Sequence, residues 1–242
     1  MTVSIGPGWT IGPGWEIGGT APTSANLVLS LDAGNPASYP GSGTTWTDMA
    51  SNLSFTLYNG VTYSASNGGS LVFNPASSQY AESTTSLSAL DTWTVEAWHY
   101  YNGTNSGGSP CIVTERYTGG SYVNYALGST ADDSPALSAA YFNNAWYGTA
   151  VGTYQLTASN WYQVVGTYDG TVTKLYVNNT LILTGTGGAA TGSTGLGTVL
   201  MNRWDNPEYW GGNLAIVKIW DGDIGASGIN TEWNNNSTRF GL

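Results

Sequence analysis

The chain has 242 residues, a length that suits one all-β domain or two small domains. Only 8% of its residues are charged, and five Lys and Arg residues stand against 15 Asp and Glu residues, for a net charge of −10. Too few cations are present to neutralise a row of phosphates or to attract an anionic membrane, so nucleic-acid and membrane-surface partners are excluded.

The N-terminus lacks the basic segment and the apolar run of a signal peptide, and no stretch approaches the ~20 apolar residues of a spanning helix. We therefore expect synthesis in a cytoplasm without secretion. A single cysteine, Cys111, excludes an internal disulfide framework. It lies in a predicted strand, where we expect a buried thiol.

Residues 1–19 contain a short repeat, in which Ile5-Gly-Pro-Gly-Trp9-Thr is followed by Ile11-Gly-Pro-Gly-Trp15-Glu. Pro-Gly pairs are typical of turns, and an arm of this length cannot bury two tryptophans by itself. We interpret these Ile and Trp side chains as an assembly anchor that orders against another chain; a disordered tail is the alternative. Three arms meeting at a symmetry axis would make the chain a homotrimer.

Residues 20–26 have the composition of a linker, and residues 27–242 are predicted to form the globular domain. Short runs of β-branched and aromatic residues alternate there with Gly, Asn, Ser and Asp clusters, which indicates a sandwich or a barrel. A helical turn or two is expected only at 227–235. The predicted strands are 27–31, 55–58, 70–73, 93–101, 111–116, 122–127, 136–141, 161–168, 172–177, 180–184, 198–202 and 213–220.

Three segments carry a resemblance to a known family. They are Trp161-Tyr-Gln-Val-Val-Gly-Thr-Tyr168-Asp-Gly with its return strand to Asn178, Trp93-Thr-Val-Glu96-Ala-Trp98, and Gly211-Gly-Asn-Leu-Ala-Ile-Val-Lys218-Ile-Trp220-Asp. In this order they resemble the laminin G-like, concanavalin A-type lectin and glucanase superfamily over roughly residues 26–235. The resemblance implies an all-β fold, a two-sheet antiparallel jelly-roll sandwich, with an extended N-terminal arm.

The first and last segments of the domain carry a second resemblance. Residues 27–48 and 234–242 are similar to laminin G-like domains in structural proteins of tailed bacteriophages. This resemblance implies a location on a virion surface, with the arm bound to a capsid or another virion protein. A decoration protein on the head is the favoured interpretation, and a host-directed lectin or adhesin of a tail or fibre is the alternative.

The superfamily includes glycoside hydrolases, which need two carboxylates near the scissile bond. The resembling glucanases carry Glu-x-Asp-x-x-Glu on one strand, and that pattern is missing here. We therefore expect a non-enzyme and keep glycoside hydrolase as a third hypothesis. We expect Glu96 to form a buried or half-buried structural pair with Lys218, with a catalytic acid as its alternative, and the sole histidine, His99, to be a strand residue rather than a ligand.

The sequence indicates two kinds of candidate binding site, one for calcium and one for a glycan. Many laminin G-like domains hold calcium at a rim loop, and Asp132, Asp133 and Asp205 are candidate ligands, although solvated turn acids would give the same pattern. Aromatic residues among polar ones indicate a site for a cell-surface glycan, with packing at the sandwich ends as the alternative. The candidate sugar-binding residues are Tyr117, Tyr122, Trp146, Tyr147, Trp204, Asp205, Asn206, Tyr209 and Trp210.

Overall fold

The computed structural model describes residues 3–4, 10–11, 25–87, 90–115, 122–129, 137–143, 146–148, 154–187, 197–203 and 207–242. The strands in the first part of the chain are β1 (Val3–Ser4), β2 (Thr10–Ile11), β3 (Asn26–Asp32), β4 (Thr45–Thr47), β5 (Ser54–Tyr58), β6 (Thr62–Ser64), β7 (Ser70–Phe73), β8 (Tyr80–Glu82) and β9 (Trp93–Tyr101). They are followed by β10 (Cys111–Glu115), β11 (Tyr122–Gly128), β12 (Ser138–Asn143), β13 (Trp146–Gly148), β14 (Asn160–Tyr168), β15 (Val172–Val177), β16 (Thr180–Thr186), β17 (Thr198–Leu200), β18 (Gly212–Asp221) and helix α1 (Gly225–Phe240).

Two sheets form the sandwich. Sheet 1 has the strand order β13-β12-β11-β10-β17-β8-β5-β4, and sheet 2 has the order β16-β15-β14-β9-β18-β7-β6, with β3 also paired to β18. Neighbouring strands run antiparallel. The predicted two-sheet antiparallel jelly-roll sandwich is confirmed.

The core lies between the sheets, and strand alternation places it there. In β9, Trp93, Val95 and Ala97 belong to the main buried cluster, whereas Trp98, the residue after Ala97, belongs to a second cluster on the opposite face. Successive side chains of a strand point to opposite faces of its sheet, so β9 is buried on both faces. Cys111 is fully buried, as predicted.

Helix α1 packs against the outer face of sheet 2 and is longer than the turn or two predicted at 227–235. Its sequence is rich in Asn, Ser and Thr, which have weak helix propensity. Ile229, Trp233 and Phe240 nevertheless pack into clusters on sheet 2, and this tertiary burial sustains the helix. Gly241, at φ 74°, ends it in a left-handed conformation.

Four strands of the sandwich were absent from the sequence-based prediction, namely β4, β6, β8 and β13. Each has only three residues, too few to show an alternating pattern. Among the described residues, no helix has the length and apolar character needed to cross a membrane.

Of the arm, the structure describes only strands β1 and β2. These strands pair antiparallel, with Val3 opposite Ile11 and Ser4 opposite Thr10. The pairing brings the two residues that precede the first repeat copy beside the junction between the two copies. The other anchor residues, Ile5, Trp9 and Trp15, lie outside the described residues.

Candidate functional site

The outer face of sheet 1 is exposed at β4 and β5. Thr45, Ser54 and Thr56 are exposed on it, whereas the residues that alternate with them, Trp46 and Phe55, are fully buried in the core. Thr45 is the register partner of Thr56, so the hydroxyl groups of the two strands lie side by side. We call the exposed residues of β4 and β5 on this face the hydroxyl strip.

Beside the hydroxyl strip lie three half-buried tyrosines, Tyr58, Tyr80 and Tyr209, which we call the tyrosine row. The rings of Tyr58 and Tyr80 stack with centroids 4.6 Å apart and planes 8° from parallel. The Tyr209 ring follows at 6.1 Å from the Tyr80 ring and is tilted by 37°. The row therefore brings three partly exposed aromatic rings together on this side of sheet 1.

The backbone around Tyr58 and Tyr80 is held by Gln79. Tyr58 and Tyr80 are register partners across β5 and β8. The Gln79 amide nitrogen donates to the carbonyls of Asn59 and Gly60 at 3.0 and 2.8 Å, and its amide oxygen accepts from Asn74 N–H at 2.7 Å. Three hydrogen bonds from one side chain fix the turn after Tyr58 relative to the strand that carries Tyr80, which preorganises the two rings.

Tyr209 is positioned by hydrogen bonds to a neighbouring loop. Its N–H donates to Ser106 Oγ at 2.6 Å, and its carbonyl accepts from Ser106 N–H at 2.9 Å. The preceding Glu208 accepts from Ser109 N–H at 2.6 Å and from Arg203 Nη1 at 3.0 Å. The third ring of the row is therefore fixed by polar contacts rather than by a regular strand.

The chemistry of this surface suits a sugar. A tyrosine ring offers an apolar face for the C–H groups of a pyranose or furanose, and its hydroxyl donates and accepts hydrogen bonds. Thr and Ser hydroxyls do the same without adding charge. Small-ligand sites typically combine ordered aromatic side chains with a small number of polar groups.

Glu96 lies in a different place, between sheet 2 and α1. It is 1% exposed, and its Oε1 accepts from Trp98 Nε1 at 2.9 Å and from Gln163 Nε2 at 2.8 Å. Burial, with the charge of Glu232 as a second cause, raises its pKa to about 7. Lys218 is its cross-strand register partner, as expected for a structural pair, but the Lys218 ammonium makes its ion pair with Glu232 of α1.

His99 faces the core. Its Nε2 lies 3.2 Å from the Gly211 carbonyl oxygen, and burial lowers its pKa to about 3. The ring packs edge-on against Trp210 at 6.0 Å. A neutral histidine enclosed by aromatic rings matches the expected structural role.

Trp210 was predicted as a sugar-binding residue, and this is wrong because its side chain is fully buried. Tyr209 and Trp210 are adjacent in an extended segment, so they face opposite ways. Tyr209 joins the tyrosine row, whereas the Trp210 ring packs against His99 and Tyr101.

The other predicted sugar-binding residues are not assembled into one described site. Tyr147 is half-buried and packs against the main core. Tyr122 begins β11 and Trp146 begins β13, so both take part in sheet 1. Four further candidates, Tyr117, Trp204, Asp205 and Asn206, lie outside the described residues.

The sequence analysis missed Tyr58 and Tyr80. The alternation of Ser54-Phe-Thr-Leu-Tyr58 contained a signal, because it places Tyr58 on the same face as two exposed polar residues. Tyr80 gave no such signal, since β8 was not predicted.

No group of three or more His, Cys, Asp or Glu side chains suited to a metal is found among the residues that the structure describes. The candidate calcium ligands Asp132, Asp133 and Asp205 all lie outside those residues. Calcium therefore stays a prediction from the sequence.

Several solved structures share this fold. Domain 4 of AbnA, a GH43 extracellular arabinanase from Geobacillus stearothermophilus in complex with arabinotriose, has a TM-score of 0.68 at 15% identity, over 86% of this chain and 98% of that one. The Trypanosoma rangeli sialidase in complex with the inhibitor DANA has a TM-score of 0.61 at 16% identity, over 89% of this chain and 34% of that one. The binding domain of Paraclostridial Mosquitocidal Protein 1 has a TM-score of 0.60 at 12% identity, over 87% and 52%.

At these identities the likeness shows the fold alone, and the chain spans about a third of the sialidase. None of the curated proteins matches the chain in sequence. A family model of the laminin G type, described as the concanavalin A-like lectin/glucanases superfamily, matches residues 75–230. The match includes β8, which carries Tyr80, and β9, which carries Glu96. The chain therefore belongs to the concanavalin A-like lectin/glucanases superfamily.

Proposed function

We propose that this chain is a non-catalytic carbohydrate-binding protein displayed on a virion surface, where its sandwich binds glycans on the tyrosine row. The observation that carries the binding proposal is the ordered row of Tyr58, Tyr80 and Tyr209 beside exposed hydroxyl groups. The fold supports it, because domain 4 of the arabinanase was solved with an arabinotriose bound.

A non-catalytic role is supported by the state of the acids in the described part of the chain. Glu96 and Glu232 approach each other, but Glu96 is buried beneath α1 and Glu232 is ion-paired with Lys218. Asp169 and Asp223 both pair with Lys174. A hydrolase needs two carboxylates that reach the substrate from opposite sides of the scissile bond, whereas each of these four acids is either buried or engaged by a lysine.

The virion part of the proposal rests on the N-terminal repeat and on the resemblance to phage structural proteins. The pairing of β1 with β2 supports an arm with structure of its own. Apolar anchors docked on a partner would contribute roughly 25 cal/mol per Å² of buried apolar area, less the entropy of ordering the arm. A tail or fibre adhesin is the second candidate.

The binding proposal is tested with the full-length chain on a glycan array, followed by titration of the best ligand. Tyr80→Thr removes the central ring and keeps a β-branched strand residue. We expect it to weaken binding by about 10- to 100-fold, which is roughly 1.4–2.8 kcal/mol. The control is Tyr100→Thr, a half-buried tyrosine on the outer face of sheet 2, which should bind like the wild type.

Equal weakening by both variants, or by neither, would contradict the assignment of the site. Hydrolysis of a bound polysaccharide would instead support the glucanase hypothesis.

The arm is tested separately by adding the full-length chain and a chain lacking residues 1–19 to particles without this protein. Attachment of the full-length chain alone supports an anchor, and equal attachment of both contradicts it.

A further inference from the structure

Helix α1 depends on docking to sheet 2 for its structure. Its start has no side-chain N-cap and no acidic residue, and its first four residues include Gly225 and Gly228. Each of these features weakens an isolated helix, as does the Asn-rich second half. A segment of this kind keeps its fold only through its tertiary contacts, so α1 and those contacts can open as one unit.

The start of α1 is fixed to the sandwich independently of the rest of the helix. The buried Thr94 of β9 donates through Oγ1 to the Gly222 carbonyl at 2.9 Å and accepts from Ile224 N–H at 3.1 Å. Farther along, α1 is held by side chains, among them Trp233 and Phe240 on the outer face of sheet 2. The helix can therefore leave the sheet while the connection after β18 stays in place.

Glu96 lies under this helix with one carboxyl oxygen unsatisfied. Its Oε1 accepts from Trp98 and Gln163, whereas its buried Oε2 finds no hydrogen-bond partner in the described part of the chain. The charged groups that face it are Lys218 of β18 and Glu232 of α1. An ionised Glu96 would hold an incompletely solvated charge next to the Glu232 carboxylate, so the docked helix favours the protonated form.

Lifting α1 removes both causes that keep the proton on Glu96. Glu96 lies on the face of sheet 2 that α1 covers, and Glu232 moves away with the helix. Burial, followed by the charge of Glu232, raises the pKa of Glu96 to about 7 in the docked state, and exposure returns it toward the ordinary 4.5. The proton therefore stabilises docking fully below about pH 4.5, and this stabilisation is lost as the pH rises through about 7.

We infer that α1 is a pH-gated lid, which stays docked in acid and opens by local unfolding as Glu96 ionises, while the sandwich stays folded. The face that it uncovers carries Trp98 and Trp161. Opening would thus convert a covered aromatic cluster into an exposed apolar surface. The inference does not depend on the glycan site, which lies on the other sheet.

Hydrogen exchange of the full-length chain, read by mass spectrometry, tests the lid without any variant. Exchange is measured at about pH 5.5 and about pH 8.5, with labelling times scaled to the intrinsic rate, so that protection reports opening alone. We expect α1 amides to be protected at least about tenfold less than those of β9 and β14 at both pH values. Protection of α1 should fall by roughly 10- to 30-fold between them, from a Glu96 pKa of about 7 when docked and 4.5 when open.

Two variants with the same change in net charge identify the group responsible. Glu96→Gln keeps the shape of the side chain and an accepting oxygen but cannot ionise, so protection of α1 should change by less than about twofold between the two pH values. Asp169→Asn removes a charge at the β14–β15 turn of sheet 2 and should show the full wild-type fall.

Three outcomes would overturn the lid. Equal protection of α1 and β9 at both pH values would mean that the helix opens only with the whole fold. A fall for β9 without one for α1 would mean that the Glu96 proton is lost only on global unfolding. A wild-type fall in Glu96→Gln would assign the gate to another group. The first two outcomes are read on the wild type and do not require the variants to fold.

Discussion

The outer faces of the two sheets differ in what lies on them. On sheet 2, α1 covers an aromatic cluster in which Trp98 stacks on Phe240 at 4.8 Å and on Trp233 at 5.8 Å. On sheet 1, the strands that carry Tyr58 and Tyr80 present half-buried rings and exposed hydroxyls. Helix α1 thus stabilises the sandwich on the outer face of sheet 2, whereas ordered aromatic groups stay accessible on the outer face of sheet 1. Substitutions on the two faces should consequently have separable effects.

The largest expected effect comes from the covered face. Trp98→Ala should lower the free energy of unfolding by about 3–5 kcal/mol, because it leaves a cavity beneath α1 and removes a donor to Glu96. Urea denaturation measures this loss. Glycan affinity of the remaining folded protein should be unchanged, and a parallel loss of affinity would contradict the separation of the two faces.

The C-terminal end of α1 is fastened to the sandwich by Arg239. Its guanidinium donates to both Asp32 carboxylate oxygens at 2.9 and 3.0 Å and to the carbonyls of Asn67 and Gly69, each at 2.8 Å. Arg239→Ala should destabilise the fold by about 2–3 kcal/mol, because it removes a forked set of charged hydrogen bonds that is only partly open to water.

Arg239→Lys is the matched control for that change. It keeps the charge but loses the planar fork, so its unfolding midpoint should lie between those of the wild type and Arg239→Ala. A lysine variant as stable as the wild type would mean that charge alone holds the helix.

Stability should fall as the pH rises, because of Glu96. Its pKa is about 7 in the folded protein and near the ordinary 4.5 when unfolded, so between these values the folded state holds a proton that the unfolded state lacks. The stabilisation is complete below about pH 4.5 and is lost as the pH rises through about 7. The loss between pH 5 and pH 8 should be on the order of 2 kcal/mol.

Glu96→Gln is the variant that isolates this contribution. Lys218 and Glu232 also face the site, from β18 and α1. Thermal unfolding of Glu96→Gln should show a flatter pH dependence and a higher midpoint than the wild type at pH 8. An unchanged slope would assign the pH dependence to other groups.

The smallest expected effect belongs to the open face. Tyr58→Thr removes the terminal ring of the row, and Tyr80 keeps its contact with Tyr209. Glycan affinity should fall by about 3- to 10-fold, and the free energy of unfolding should change by less than about 1 kcal/mol. A calorimetric titration and a urea curve of the same sample check both expectations.

Much of the fold follows from alternation within single strands. The bounds of β7, β9 and β15 agree with the sequence-based prediction, because each strand has enough large residues to define its faces. The full length of α1 does not follow from the sequence alone, since its Asn-rich second half is helical only through contacts of Trp233 and Phe240 with sheet 2.

The candidate site was harder to predict, because the tyrosine row joins residues from three distant segments. Tyr58 and Tyr80 meet only through the pairing of β5 with β8, and Tyr209 reaches them through its loop contact with Ser106. Tyr209 was nevertheless a sequence-based candidate. Its neighbour Trp210 was a candidate for the same compositional reason, and only the direction of each side chain distinguishes a surface ring from a core ring.

The pairing of β3 with β18 has a consequence for how the protein is made. Strand β18 takes its partners from β3 and β7 on one side and from β9 on the other, and the Arg239–Asp32 ion pair joins residues 207 positions apart. Sheet 2 is therefore incomplete until β18 has been synthesised, and α1 docks last. During translation, the edges of β3 and β9 that pair with β18 stay unpaired until β18 has been made. We therefore expect slow folding and a yield of folded protein that depends on chaperones and on the temperature of synthesis.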